Sequence, residues 1–251
     1  MNNIFEFKRV FYLIKRFLRM YASPATIALG AVSAALLVIL MLVSIDMQIN
    51  EEVFLGITLP FLVLGGYIFS SMAYPELNNY VKGTFYLTLP AYPLDRLVAG
   101  WLLTGVVYTL LSMVILFILS LLTAVFGATV MGYPFMLNNI FSSDVMLTFG
   151  VYQVTQTIFL AGAAYFKRFN FFKVILAFFV VGFIVATYSG LLSLLIFGAD
   201  GFNGSFPGDA DPGTKFFFEE ILPDIARVVF WGLLGPFFLL VTYFRIKERE
   251  V

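Results

Sequence analysis

The side chains that could do chemistry are few. The 251 residues contain no Cys and no His. That removes disulfides, Fe–S ligation and thiol catalysis, together with the commonest general base and metal ligand. There is no G-x-x-x-x-G-K-[ST] phosphate loop, no G-x-S-x-G elbow and no carboxylate pair in an apolar segment. The chain is therefore not expected to be an enzyme or to hold a cofactor or metal of its own. What polarity remains falls in four places. Tyr152, Gln153, Gln156 and Thr157 share about 140° of arc at 100° per residue on a predicted helix. Such a stripe in lipid must face protein or a wet cavity, so interhelical hydrogen bonding and a substrate path both fit. Thr187, Tyr188 and Ser189 carry the same two readings. Asp200, Asp209 and Asp211 supply hard oxygens suited to calcium, but their spacing is not that of an EF-hand and reads as a solvated acidic loop. The fourth place is Tyr74–Leu97, YPELNNYVKGTFYLTLPAYPLDRL, too polar to span and too apolar for a bare linker. Its Tyr80, Phe85, Tyr86, Leu87 and Leu89 are the residue types that anchor a protein–protein contact. Gly83, Pro90 and Pro93 mark turns around them. Asp95 and Arg96 follow Pro93 and open a helix, with Asp95 at its positive end. The alternative is a connecting loop that packs only on its own bundle.

The elements that must position these residues are set by hydrophobicity. Apolar residues make up 61% of the chain and charged ones 12%, against roughly half and a quarter in soluble domains. With a mean hydropathy of +0.96, too little polar surface is left to coat a water-soluble fold. The 31 Phe suit a lipid-facing surface. Six runs are long and apolar enough to span: Ala25–Ile45, Val53–Ala73, Val98–Gly127, Val145–Phe166, Phe171–Phe197 and Ala226–Phe244. Pro60 and Gly65-Gly66 are expected to break the second, and Gly235-Pro236 to kink the sixth. The expectation is an all-α membrane protein with a permease-like body over residues 23–251.

Sidedness follows from the basic residues. Alternating six spans puts thirteen of the fifteen Lys and Arg on one side. They lie in the N-terminal segment, in the loop carrying Lys82 and Arg96, in the link carrying Lys167, Arg168 and Lys173, and in the tail. Only Lys215 and Arg227 fall opposite. Both termini are thus expected in the cytoplasm, the loop over 74–97 is cytoplasmic and the loop over 198–224 is extracytoplasmic. In that last loop Phe216–Phe218, Ile221 and Leu222 are expected to form a short helix at the outer interface. The first 20 residues lack an apolar h-region, so no cleavable signal peptide is expected. Residues 1–22 instead form an amphipathic helix. Phe7, Val10, Phe11, Ile14, Phe17, Leu18 and Tyr21 share one face, with Lys8, Arg9, Lys15, Arg16 and Arg19 opposite. The pattern puts Phe7, Phe11, Ile14 and Leu18 toward lipid and Arg9 and Arg16 toward water. Ser23-Pro24 is expected to cap the next helix and turn the chain through an elbow. A plain basic anchor is the other role such a helix fills.

The layout resembles the ABC-2-type permeases, the membrane subunits of type V ABC transporters. It shares with them an amphipathic start, six spans, a structured cytoplasmic loop after the second and an outer segment before the sixth. The stretch from Thr84 to Arg96, TFYLTLPAYPLDR, is similar to that family's LP-x-x-x-x-[DE]-[RK] segment before the third span. What the resemblance implies is a multi-pass permease subunit of a bacterial inner membrane, dimeric with itself or a sister subunit. A separate ATP-binding subunit would hold ATP and Mg and hydrolyse the ATP, the transport direction would be export, and no nucleic-acid partner is expected. It also implies that Tyr80, Lys82, Phe85, Tyr86, Leu87, Leu89, Asp95 and Arg96 form the contact that couples to the ATPase. The spans carry no Asp, Glu, Lys or Arg in their apolar cores. An ATP-driven mechanism tolerates that and an ion-coupled carrier ordinarily does not. The alternative from another class is a non-transporting anchor or regulatory subunit of an envelope assembly. The sided count predicts that a reporter fused after Val251 is cytoplasmic and one inserted near Gly208 is not; both reporters on one side would rule out the six-span alternation.

Overall fold

The computed structural model describes residues 6–76, 91–202 and 216–249. Among them every regular element is helical: α1 (Phe7–Asp46), α2 (Glu51–Ser71), α3 (Pro93–Trp101), α4 (Tyr108–Val130), α5 (Ser143–Tyr165), α6 (Asn170–Phe202), α7 (Leu222–Val228) and α8 (Gly235–Glu248). One π-turn, Leu102–Val107, fuses α3 to α4, and two more, Phe217–Ile221 and Val229–Leu234, flank α7. Six stretches are long and apolar enough to cross a bilayer: Ser23–Asp46, Glu51–Ser71, Pro93–Val130, Ser143–Tyr165, Asn170–Leu195 and Leu222–Glu248. The protein is an all-α, multi-pass membrane protein. Helices are the solution because a backbone in hydrocarbon must satisfy its own N–H and C=O groups. Buried hydroxyls follow the same rule. Ser44, Thr58, Thr123 and Thr242 each donate to the carbonyl four residues back.

Two expected breaks are absent. α1 runs without interruption through Pro24, so the elbow at Ser23-Pro24 does not form and Ser23 caps nothing. The proline removes one backbone bond from a helix held on both sides of it, by ion pairs below and by Leu36 and Leu40 in the core above. At 1.5 Å per residue its 40 residues reach about 60 Å, twice the ~30 Å hydrocarbon layer. The basic first segment therefore continues the first span. Likewise α2 passes through Pro60 and Gly65-Gly66, held by buried Leu59 and Leu62 on either side of the proline. At the sixth span the signal at Gly235-Pro236 coincides with a real irregularity: the widened π-turn ends at Leu234, just before it. Phe216 and the π-turn after it lead into that span rather than forming a separate helix, and residues 203–215 lie outside the described residues. The third span starts at Pro93, five residues earlier than its apolar run.

The fourth span is the hub. Half of its most apolar window is buried inside the protein, against 6% for the fifth. α2 lies along one flank of α5 and α8 along another. One core joins Leu36 and Leu40 of α1, Leu59 and Leu62 of α2, Leu116 of α4 and Tyr152 of α5. A second, at the end of the bundle rich in Lys and Arg, joins Tyr74, Leu97, Leu160 and Ile246. Gly66 allows the closest approach in the first core. A Cβ there would stand 2.5 Å from the Tyr152 ring and 2.7 Å from that of Tyr108. Gly30, also helical, has nothing within 4 Å of that position. Gly66→Ala is expected to cost about 1–3 kcal/mol through overpacking, while Gly30→Ala gains up to about 1 kcal/mol of helix propensity. Thermal unfolding in detergent should separate the two variants in opposite directions.

Candidate functional site

At the basic end, two segments distant in sequence, the start of α1 and the start of α3, meet on one carboxylate. Pro93 begins α3, and Asp95 two residues later reaches back so that the Tyr92 N–H donates to its Oδ2 at 3.1 Å. The Glu6 N–H, just ahead of α1, donates to Oδ1 at 3.2 Å. Arg9 Nε stands 3.0 Å from Oδ2, and its guanidinium lies over the Tyr92 ring at 4.9 Å. The Asp95 side chain is fully buried. A carboxylate survives there only because donors and the positive end of α3 surround it.

Two turns up α1, Arg16 grips Glu76 with two nitrogens. Nη1 donates to Oε2 at 3.0 Å and Nη2 stands 3.0 Å from Oε1, the bidentate geometry that makes arginine specific for carboxylate. Glu76 is 6% exposed. Arg16, Glu76, Tyr74 and the buried Arg96 line a small cavity of about 40 Å³ together with Tyr21. The Tyr21 phenol is pushed above its ordinary value, chiefly by burial and further by the Glu76 carboxylate, with Arg16 pulling the other way. It stays a neutral donor at physiological pH.

Arg9 and Arg16 therefore do not face water, as the amphipathic pattern predicts; they are the docking face. Seven residues apart, they sit above one another on the helix, and Val10 between them is buried. Of the predicted lipid-facing set, Phe7 and Phe11 are 76% and 63% exposed and Leu18 is also exposed, while Ile14 is half-buried against the Tyr74 cavity. Of the predicted coupling residues, Asp95 and Arg96 are in the clamp. Tyr80, Lys82, Phe85, Tyr86, Leu87 and Leu89 lie outside the described residues. The chain that carries them leaves just after Glu76 and returns just before Tyr92, so both of its feet are tied to α1.

The polar stripe of α5 occupies a different place, the middle of the bundle. Tyr152, Gln156 and Thr157 are buried. Tyr152 donates to the Thr104 carbonyl at 2.7 Å, the Thr104 hydroxyl donates to Gln156 Oε1 at 2.9 Å, and Gln153 Nε2 donates to Thr109 at 3.0 Å. Tyr67 bonds Thr155 at 2.7 Å. Thr104 and Gly105 lie in the π-turn, and a Cβ on Gly105 would meet both glutamine amides. Tyr152, Gln153 and Gln156 thus bond between helices, while Thr157 donates to the Val154 carbonyl of its own helix at 2.7 Å. Tyr188 is not among them; it is 64% exposed on α6.

The sequence reading missed Glu6, Tyr74 and Glu76, and missed as partners of the stripe Thr104, Gly105 and Ser70, whose hydroxyl donates to Gln156 Oε1 at 3.4 Å. A signal for Glu76 and Asp95 exists: they are carboxylates flanking a loop on the side where cations collect. No family model, no curated protein and no solved structure matches the chain. If the clamp holds α1 to α3, Asp95→Ala removes the buried acceptor shared by Arg9 and two N–H groups and costs about 3 kcal/mol. Amide exchange over residues 7–20 should then accelerate; unchanged exchange would show that the carboxylate holds nothing in place.

Proposed function

We propose that this chain is the permease subunit of an ABC transporter of the ABC-2 type, an exporter driven by a separate ATP-binding subunit. The observation that carries the reading is the double tie at the basic end. A loop rich in aromatic residues has one foot at Glu76, ion-paired to Arg16, and the other at Tyr92, bonded to Asp95, which holds Arg9. A partner pressing on that loop therefore acts at once on α1, on the end of α2 and on the first turn of the third span. That is what a coupling element must do. In this reading two such chains, identical or sister subunits, each engage one ATPase through Tyr80–Arg96. Closure of the ATPase pair moves the loop, and the clamp passes the motion to the spans. No ionisable group is required inside the hydrocarbon. The basic end faces the cytoplasm of a bacterial cell, and ATP and Mg belong to the partner chain. The cargo class is not written in any side-chain cluster, and the export direction rests on family resemblance.

The test is recovery of the partner and its response. The chain should co-purify stoichiometrically with an ATPase. Tyr86→Ala and Leu89→Asp should each lower transport-linked ATP hydrolysis or loosen that ATPase, with membrane insertion unchanged. Variants that insert normally and still bind and stimulate the ATPase at wild-type levels would refute the coupling assignment. Persistent absence of any ATPase would favour the anchoring or regulatory role.

A further inference from the structure

A second cationic corner stands at the basic end, built from the link between α5 and α6 and from the end of α8. The fourth span closes at Tyr165 and the fifth opens at Asn170, so only residues 166–169 join them. A link that short cannot leave the membrane boundary. It is held in place from inside: Asn170 Nδ2 donates to the Ser71 carbonyl at the end of α2 at 3.2 Å. Within it Phe169 takes φ 55°, a left-handed conformation that a bulky side chain rarely adopts. Its carbonyl accepts from the Lys173 N–H at 3.0 Å and starts α6. The Phe169 side chain is nonetheless 73% exposed. The strain is therefore not repaid by burial within the protein, and strain of this kind marks places where the backbone serves an outside contact.

Cations gather around that ring. The Arg245 guanidinium lies over the Tyr165 ring at 4.7 Å, and the Lys173 ammonium stands 5.4 Å from the centre of Phe166. Tyr165 and Phe166 meet edge to face at 5.6 Å, so the two cations flank one aromatic pair. Lys167, Arg168 and Lys247 are exposed beside them. Arg9 and Arg16 of α1 each have a buried carboxylate. Here, among the described residues, Glu248 on Arg245 at 2.8 Å is the only carboxylate within ion-pair reach of Lys167, Arg168, Lys173, Arg245 or Lys247. Arg245 and Arg249 also repel one another one turn apart: the Arg249 guanidinium is held below its ordinary value, chiefly by burial and further by Arg245. An anion from outside would relieve this crowding. Depth says which one. Phe172, exposed, and Lys173 lie in the first turn of the fifth span, inside the membrane plane, where a soluble acidic protein does not reach. Cations interleaved with exposed aromatics at that depth match an anionic headgroup above its own acyl chains.

We propose that the corner formed by the α5–α6 link and the end of α8 binds an anionic phospholipid of the leaflet on the basic side, with its phosphate among Lys167, Arg168, Lys173 and Arg245 and its acyl chains against Phe169 and Phe172. The site does not rest on the permease reading. The test uses the full chain in bilayers of equal parts phosphatidylglycerol and phosphatidylethanolamine with identical acyl chains. Photoreactive benzoylphenylalanine replaces Phe169, or, as the control, Phe135, which is exposed in a stretch, residues 97–143, without Lys or Arg. Lipid adducts are counted by mass spectrometry. At position 169, phosphatidylglycerol adducts should exceed phosphatidylethanolamine adducts several-fold, and at position 135 the two should be equal. Lys167→Gln with Arg168→Gln should bring position 169 to the control ratio. So should about 1 M salt on the unaltered cations, where the screening length falls to about 3 Å; that arm decides the matter even if the double variant fails to insert. Inorganic phosphate at matched low ionic strength should leave the excess in place. Equal adducts at position 169, an excess that survives the double variant or the salt, displacement by inorganic phosphate, or adducts to protein in place of lipid would each overturn the proposal.

Discussion

A carboxylate cut off from water has to be surrounded by donors, and Asp95 recruits them from two separate parts of the chain. Two backbone N–H groups and the Arg9 guanidinium converge on its oxygens, one from the residue before α1 and one from the residue before α3. Ion pairs of this kind add little net stability compared with apolar packing, because desolvation offsets the attraction. What they impose is position, since removing any one partner leaves a buried charge bare. The basic segment of α1 has to lie against the first turn of the third span. With Arg16 on Glu76, it also has to lie against the chain leaving α2. The uninterrupted passage of α1 through Pro24 and the tying of the chain on either side of residues 77–90 to α1 both follow from that placement.

The middle of the bundle is organised differently. Its polar groups are neutral, and they are joined through a π-turn. Within the widened turn at Leu102–Val107 the Thr104 carbonyl accepts from Tyr152, and the hydroxyl of the same residue reaches Gln156. Gly105 leaves room for both glutamine amides beside it. Neutral hydrogen bonds in lipid contribute modestly, on the order of 1 kcal/mol each, because other partners are available when they break. Such a knot fixes the register of the third and fourth spans yet can be re-formed with one partner exchanged for another. The charged clamp below cannot be exchanged so cheaply. Rigidity is thus concentrated at the basic end and adjustability in the centre.

Much of the fold was legible because bilayer thickness and hydrophobicity leave few choices. All six spans were found, and Asp95 was placed in the first turn of a helix from Pro93 and the acid two residues on. What failed failed for tertiary reasons. Pro24 and Pro60 read as breakers from local propensity, yet packing on both sides carries the helices through them. The amphipathic wheel sorted Arg9 and Arg16 correctly onto one face but sent that face to water, because a wheel records polarity and not the partner. Their counterions sit some sixty and ninety residues away, beyond any periodicity. The polar stripe of α5 was legible as polar and inward-facing, but not as bonded to Thr104, since a π-turn has no reliable mark in sequence beyond a glycine.

The two ends of α1 bear on how a load would travel. A push at the clamp cannot dissipate into a loop, because no loop separates the basic segment from the first span. It must pass along α1 to where Leu36 and Leu40 engage the core. Between those points α1 borders an apolar groove that separates it from parts of α2 and α4, and it meets the bundle there through Phe17 on Phe69 and Leu29 against the core. Few side chains oppose bending over that length, so the helix can bow toward the groove and absorb part of a displacement. The small residues that line the groove, Ala25, Ala28 and Gly65, set how stiff that stretch is.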